Sequence, residues 1–166
     1  IRDRGWIASK AIEGWAERLE VADGRRFTYG DVTLDFSNPV PHGELDSGLG
    51  WVLMVKVSTD GESVTYASDV QGPMNQTTLN EILINHPHHL IIGGPPLYLK
   101  GFKVGEECLT AASNNLIKLA EKLQVLIIDH HLLRSGDWRT YLKPILNVAS
   151  EVGHRVYTMA EYLGVE

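Results

Sequence analysis

The apolar positions change their period part-way along the chain. Over residues 6–20, Ala8, Ile12, Trp15, Ala16 and Leu19 recur at three- and four-residue spacing, which predicts an amphipathic helix beginning at Trp6, with Gly24 as its breaker. Arg26–Tyr29 and Val32–Phe36 read as short strands joined by Gly30-Asp31, a hairpin signal. The segment SNPVPHG is a loop stiffened by Pro39 and Pro41. WVLMVKV, residues 51–57, is nearly all apolar and predicts one buried strand; Thr59-Asp60-Gly61 turns the chain and residues 63–67 return as the next strand.

Helix and strand then alternate. Thr78 and Glu81 stand at capping-box spacing and predict a short helix with Leu79, Ile82 and Leu83 on its buried side. Residues 90–92 form a short apolar strand ending on Gly93-Gly94-Pro95-Pro96. Residues 106–123 give the clearest helix, with Leu109, Ala112, Leu116, Leu119, Ala120 and Leu123 in one stripe. VLII over 125–128 is a buried strand. Asp137 is placed to cap a helix carrying Trp138, Tyr141, Leu142, Ile145, Ala149 and Val152, with a bend expected at Pro144. Residues 155–158 predict a last strand and 160–163 a terminal helical turn. A meander of strands followed by alternating elements predicts an α/β fold built on one mixed sheet with covering helices. The strongly apolar strands predict that both sheet faces are buried.

Composition narrows the classes. With 166 residues, 43% hydrophobic and 22% charged, the chain is one domain's worth, or a large half of a two-part domain. A net charge of −6 argues against a nucleic-acid module that works through bulk charge, and long nucleic acid is not expected as a partner. The single cysteine, Cys108, excludes an intramolecular disulfide framework and a cysteine zinc ribbon, and fits a cytoplasmic setting. No apolar run approaches the roughly 18 residues that span a bilayer, and the opening residues do not read as a signal segment. The chain opens on Ile1 rather than methionine, so a preceding N-terminal part is expected.

Seven histidines change the picture further. His42 lies in a loop between strands, Asp69 just after the strand of VTYASD, and His130 and His131 just after the strand of VLIID. Polar residues past strand ends of a mixed sheet can converge on one edge. A carboxylate and neutral imidazoles suit zinc or a similar first-row ion. The plain alternative for Asp69 is a turn or helix-cap residue.

In this order, PHGELDSGLGWVLMV, SVTYASDVQG and VLIIDHHLLR resemble segments of the metallo-β-lactamase superfamily. GGPPLYL and DHHLLR are most similar to an uncharacterised archaeal branch of it, and His130 with Arg134 four residues on resembles the ribonuclease Z-like members. The resemblance runs over essentially the whole chain. It implies an αββα sandwich of two β-layers packed face to face between helices, with residues 1–166 as roughly its C-terminal half. The superfamily's H-x-H-x-D-H signature is absent from this sequence. The resemblance therefore implies a partner: a missing N-terminal half, or a second chain, that carries the signature. A homo-oligomer is left open. A large uncovered apolar surface follows, above the roughly 300–600 Å² patch of a typical monomer.

The resemblance also implies roles. His42 would be a terminal ligand of a first metal, Asp69 a bridge between two, and His130 a terminal ligand of the second. His131 competes with His130 for that place, or serves as a proton donor or a buried hydrogen-bonding residue; Asp69 and His131 are the catalytic candidates. Neighbours in extended backbone point to opposite faces, so one histidine faces the metal; the spacing to Arg134 favours His130. Gly93, Gly94 and Tyr98 would wall a substrate pocket, or simply form a tight turn. Read from its residue type, Arg134 would grip a phosphate or carboxylate, or more simply be an exposed arginine at a helix start. His86, His88 and His89 read as a polar loop, His154 as a surface residue, Cys108 as a packing residue, and Trp6, Trp15, Trp51 and Trp138 as core. The implied activity is a metal-dependent hydrolase that uses a metal-bound hydroxide. Two divalent ions are implied, zinc first, with iron or manganese as alternatives. The substrate would be a small ester-type molecule, phosphodiesters first. The rivals are a di-iron oxidoreductase of the same fold and a non-catalytic metal-binding or interaction fragment.

Overall fold

The computed structural model describes residues 10–165. Two sequence blocks build one seven-stranded sheet, strand by strand from edge to edge. The first block is antiparallel: β1 (Arg26–Tyr29), β2 (Val32–Phe36), β5 (Val55–Thr59) and β6 (Glu62–Ala67). The second runs parallel to β6: β7 (His89–Gly93), β8 (Val125–Asp129) and β9 (Arg155–Tyr157). Three helices make the crossovers that parallel strands require: α1 (Gln76–Ile84), α2 (Glu106–Lys122) and α3 (Trp138–Glu151). A short α4 (Met159–Leu163) follows β9, and β3 (Val40–Pro41) pairs with β4 (Trp51–Val52) in a separate ribbon.

The core lies on one face of the sheet. Leu90, Ile92, Leu126 and Ile128 alternate along β7 and β8 and are fully buried against Leu79 and Ile82 of α1, Leu116 and Leu119 of α2, and Leu142 and Ile145 of α3. Each such side chain stabilises the fold by about 1.5–3 kcal/mol.

The opposite face carries the remaining apolar positions. Strand register puts Phe27, Leu34, Val57 and Val64 in one cross-strand row, and Phe36, Val55, Tyr66 and Ile91 in the next. On this face α4 packs against β8 and β9, with Tyr162 set edge-on to His89 and Tyr157, and Ile127 is buried there. Val57, Val64 and Tyr66 stay exposed, Tyr66 by 51%. The expectation that both faces are buried is therefore corrected: α1, α2 and α3 all pack on the other side.

Other expectations are also corrected. The apolar run 51–57 is two strands, because the chain leaves the β3–β4 ribbon at residue 53 to enter the main sheet. Ser37 stitches that switch, its hydroxyl accepting the Met54 N–H at 2.9 Å and its own N–H donating to the Met54 carbonyl at 2.9 Å. The N-cap of α1 is Asn75, whose side chain accepts the Thr78 N–H at 2.9 Å; Thr78 is buried inside the helix. Asp137 holds the N-cap position of α3 without a side-chain capping bond. Residues 6–9 of the expected opening helix, Trp6 and Ala8 among them, lie outside the described residues; beyond them, helix runs over 10–12 and ends in a turn. Ile12, Trp15 and Leu19 are exposed, Trp15 by 91%, so among the described residues no packed face carries the helix past residue 12. Trp51 is also exposed, while Trp138 packs at the edge of the core. His154 is half-buried rather than a surface residue, its Nδ1 donating to the Ala120 carbonyl at the end of α2 at 2.9 Å.

Candidate metal centre

The carboxyl ends of β6, β7 and β8 lie side by side, and three loops leave from them. Backbone bonds tie these loops together: the Gly72 N–H donates to the Gly93 carbonyl at 2.7 Å, and the Gly94 N–H to the Asp129 carbonyl at 2.8 Å. The two glycines at the end of β7 are what let the neighbours close in. A Cβ on Gly93 would stand 3.0 Å from the Asp69 nitrogen, and one on Gly94 would stand 2.6 Å from Leu132 Cβ. Both glycines are buried beneath the site, and Pro96 and Tyr98 further along the loop line the cavity beside it.

Asp69 and His130 both adopt left-handed backbone, at φ 58° and 69°. Non-glycine residues in that region cost about 1–3 kcal/mol and concentrate at functional sites. His130 opens a 3-10 turn, His130–Arg134, so the pair His130-His131 is not extended. The expectation that the two imidazoles face opposite ways fails for that reason. Their rings meet edge-to-face at 4.3 Å, and both reach Asp69. His42 comes from the far side, on a loop closed by its N–H to the Gly50 carbonyl at 3.0 Å. Asn75 donates from the cap of α1 to the Gly43 carbonyl at 3.2 Å, and the Cys108 thiol of α2 meets the Glu44 carboxylate, so two helices fix the His42 loop.

One oxygen is the common point. Asp69 Oδ1 lies 3.4 Å from His131 Nε2, 3.8 Å from His130 Nε2 and 3.9 Å from His42 Nε2. Asp69 Oδ2 accepts the Ser68 hydroxyl at 2.8 Å. His42, Asp69 and His131 each offer a donor atom, and all three atoms lie within 4.8 Å of one another. His131, at 15% exposure, is the deeper of the two neighbours; His130 is at 47%. The Nδ1 of His131 is hydrogen-bonded to the Tyr98 hydroxyl at 3.0 Å, and Arg134 donates to the same hydroxyl at 3.4 Å.

The electrostatics suit a cation. Burial pushes the Asp69 carboxyl up, but the Ser68 hydroxyl and the three histidines outweigh it and hold it below the usual aspartate range. Burial, with help from His130 and Arg134, holds His131 below the usual histidine value despite Asp69. An ionised carboxylate and a neutral imidazole are the states a metal ion requires, so the donor set fits one.

Beside the cluster is a cavity of about 530 Å³. Leu49, Met74, Leu99 and Val104 give it an apolar wall, and Glu44, Gln71 and Lys103 add polar groups that the sequence reading did not single out. The signal available was weak. Gln71 is buried with φ 56° between Asp69 and Gly72, and only the clustering of polar residues after a strand end hinted at it. Glu44 and the burial around Cys108 push the thiol up to about 11, in keeping with a packing role. The His86, His88 and His89 loop lies at the other end of β7. His88 pairs with the Ser63 hydroxyl at 3.2 Å, and among the described residues no candidate metal group includes these three.

No family model matches the chain. It is 44% identical over 154 residues to a protein of Aeropyrum pernix, covering 89% of this chain and 52% of that protein. It is 39% identical over 168 residues to one of Methanopyrus kandleri, covering 99% and 56%, and 37% identical over 158 residues to one of Saccharolobus islandicus, covering 95% and 51%. These relatives are archaeal UPF0282 proteins. The chain spans about half the length of the UPF0282 proteins it matches. Its fold is similar to the solved structure of a CmlA β-hydroxylase E377D mutant, with a TM-score of 0.56 and 13% identity, covering 88% of this chain and 33% of that one. That likeness gives the architecture, a mixed α/β sheet with covering helices of the metallo-β-lactamase type. Among the described residues no helix is long and apolar enough to cross a membrane.

Proposed function

We propose that this chain is the C-terminal half of a metallo-β-lactamase-like domain and supplies part of the site of a metal-dependent hydrolase for small ester-type substrates, phosphodiesters first. The observation that carries the reading is the approach of donor atoms from His42, Asp69 and His131, on three separate loops, to within 4.8 Å of one another. His42, Asp69 and His131 would hold a divalent ion, zinc in the first instance, which when bound would supply Lewis acidity and a water acidified to a pKa of about 7. The chain's own groups do the rest. Ionised Asp69 offsets positive charge, and the Ser68 hydroxyl holds the carboxylate's outer oxygen. Neutral His131 offers Nε2, and the more exposed His130 stands by as a ligand of a second ion or as a proton carrier. The apolar wall of the cavity takes the organic part of a substrate, and a volume of about 530 Å³ suits a small molecule rather than a polymer.

The remaining length of the UPF0282 relatives has a place in this reading. It would cover the apolar sheet face around Val57, Val64 and Tyr66 and bring the further ligands of an H-x-H-x-D-H segment, whether in the same chain or another. A second reading is favoured by the donor types: two histidines and one carboxylate also suit non-haem iron, as in an oxidoreductase. Metal analysis of a protein of the relatives' full length, with hydrolysis of a nitrophenyl phosphodiester, tests the proposal. Bound zinc with ester hydrolysis supports it; bound iron with oxygen uptake and no hydrolysis favours the second reading; no metal refutes both.

A further inference from the structure

We infer that Tyr98 is the positioning residue of His131, and that a cation on His131 Nε2 turns the Tyr98 hydroxyl proton away from His131 and into the cavity. The inference rests on the metal reading above and adds what the second layer of the site does.

A neutral imidazole carries one N–H and one bare nitrogen. His131 is engaged at both ends: Nε2 faces the Asp69 carboxylate at 3.4 Å, and Nδ1 faces the Tyr98 hydroxyl at 3.0 Å. An ionised carboxylate can only accept, so without a cation the proton belongs on Nε2 and the bare Nδ1 accepts the Tyr98 O–H. The Tyr98 oxygen meanwhile accepts from Arg134 at 3.4 Å. The donors therefore point one way, from Arg134 to Tyr98 to His131, whose Nε2 faces Asp69.

A cation at Nε2 needs that nitrogen bare. The ring stays neutral, so its single proton moves by exchange with water to Nδ1, and the net proton count does not change. Nδ1–H now donates to the Tyr98 oxygen. That oxygen then accepts from both His131 and Arg134, and its two lone pairs are taken. The hydroxyl proton has no acceptor left among these partners. Tyr98 lines the cavity and is 43% exposed, so the proton turns toward whatever occupies that space. The site thus gains a hydrogen-bond donor for a ligand oxygen only when the cation is present. Arg134, itself outside the cavity lining, acts through Tyr98 rather than by gripping an anion directly. Partners of this kind typically change metal affinity by about 10–100-fold when removed.

The test is long-range proton–nitrogen NMR on a protein of the relatives' full length with ¹⁵N-labelled histidine, metal-free and then with zinc alone, alongside calorimetric zinc titration. The wild type is expected to show the Nε2–H form of His131 without zinc and the Nδ1–H form with it. Tyr98→Phe should mix the two forms without zinc and weaken zinc binding about 10-fold. Arg134→Gln, at an exposed position that folding tolerates, should keep the reversal and weaken zinc less than Tyr98→Phe does. An Nδ1–H form in the metal-free wild type overturns the inference. So does Tyr98→Phe with wild-type tautomer and zinc affinity, which would leave the metal reading intact. A wild type that binds no zinc defeats the metal reading and the reversal together.

Discussion

Replacing Gly94 with alanine separates a structural role beneath the site from an ordinary turn. Gly94 does not use left-handed backbone, so alanine meets no backbone penalty. On backbone grounds alone it would stabilise the chain by about 0.4–1 kcal/mol, through the unfolded state. The added Cβ would, however, stand 2.6 Å from Leu132 Cβ and 2.9 Å from Ile128 Cγ2, and both neighbours are fully buried. Overpacking of this kind costs about 1–3 kcal/mol. With contacts this short the upper half of that range applies, and the net expectation is a loss of about 1–2 kcal/mol, a roughly 5- to 30-fold shift toward the unfolded state. Leu132 adjoins His131, so the displaced turn should also weaken zinc binding. Gly136→Ala is the control, since a Cβ there meets nothing within 4 Å. Urea unfolding of the two variants and the wild type, with zinc titration of each, reads both effects. If Gly94→Ala is as stable as the wild type or more so, the close approach at the end of β7 does not hold the site.

Three further outcomes follow from the same geometry. Replacing His86, His88 and His89 together should leave metal content unchanged, as measured by elemental analysis after dialysis, because these side chains lie at the far end of β7 from Asp69. Cys108 should alkylate slowly at pH 8, its thiol being pushed up to about 11, and Glu44→Gln should speed the reaction by removing the carboxylate that raises it. The metal-free chain should lose stability toward acid: His131 and Asp69 are both held below their ordinary values of 6.5 and 3.8, so their contributions are present above those values and lost as pH falls through the lowered ones. Urea unfolding of Asp69→Asn and His131→Gln between pH 7 and pH 3 should show a flatter acid limb than the wild type.

The alternation of elements was legible because each was bounded locally. Gly30-Asp31 set the β1–β2 hairpin, with Tyr29 opposite Val32 as its spacing demands. The stripe from Leu109 to Leu123 set α2. Where the deciding contact was distant in sequence, the pattern was silent. Seven apolar residues over 51–57 have no period that marks a change of sheet, and the Ser37–Met54 bonds that fix it span 17 positions. The positions of His42, Asp69 and the His130-His131 pair after strand ends were readable. Which imidazole lies nearer Asp69 depends on the left-handed backbone of His130 and the turn it opens, and neither has a residue-type signal. The Tyr98–His131 bond joins two loops 33 residues apart and was likewise invisible.

Calorimetric zinc titration of metal-free Asp69→Ala, in a protein of the relatives' full length and with His42→Ala and His131→Ala beside it, tests most directly whether Asp69 is the shared centre of a cation site. All three histidines approach the one carboxylate oxygen, within 3.4–3.9 Å, so the Asp69 variant should be the most damaged and should lose zinc stoichiometry. The two histidine variants should each only weaken binding. Zinc bound by Asp69→Ala with wild-type stoichiometry and affinity, while either histidine variant loses it, would make Asp69 a turn residue and contradict the account.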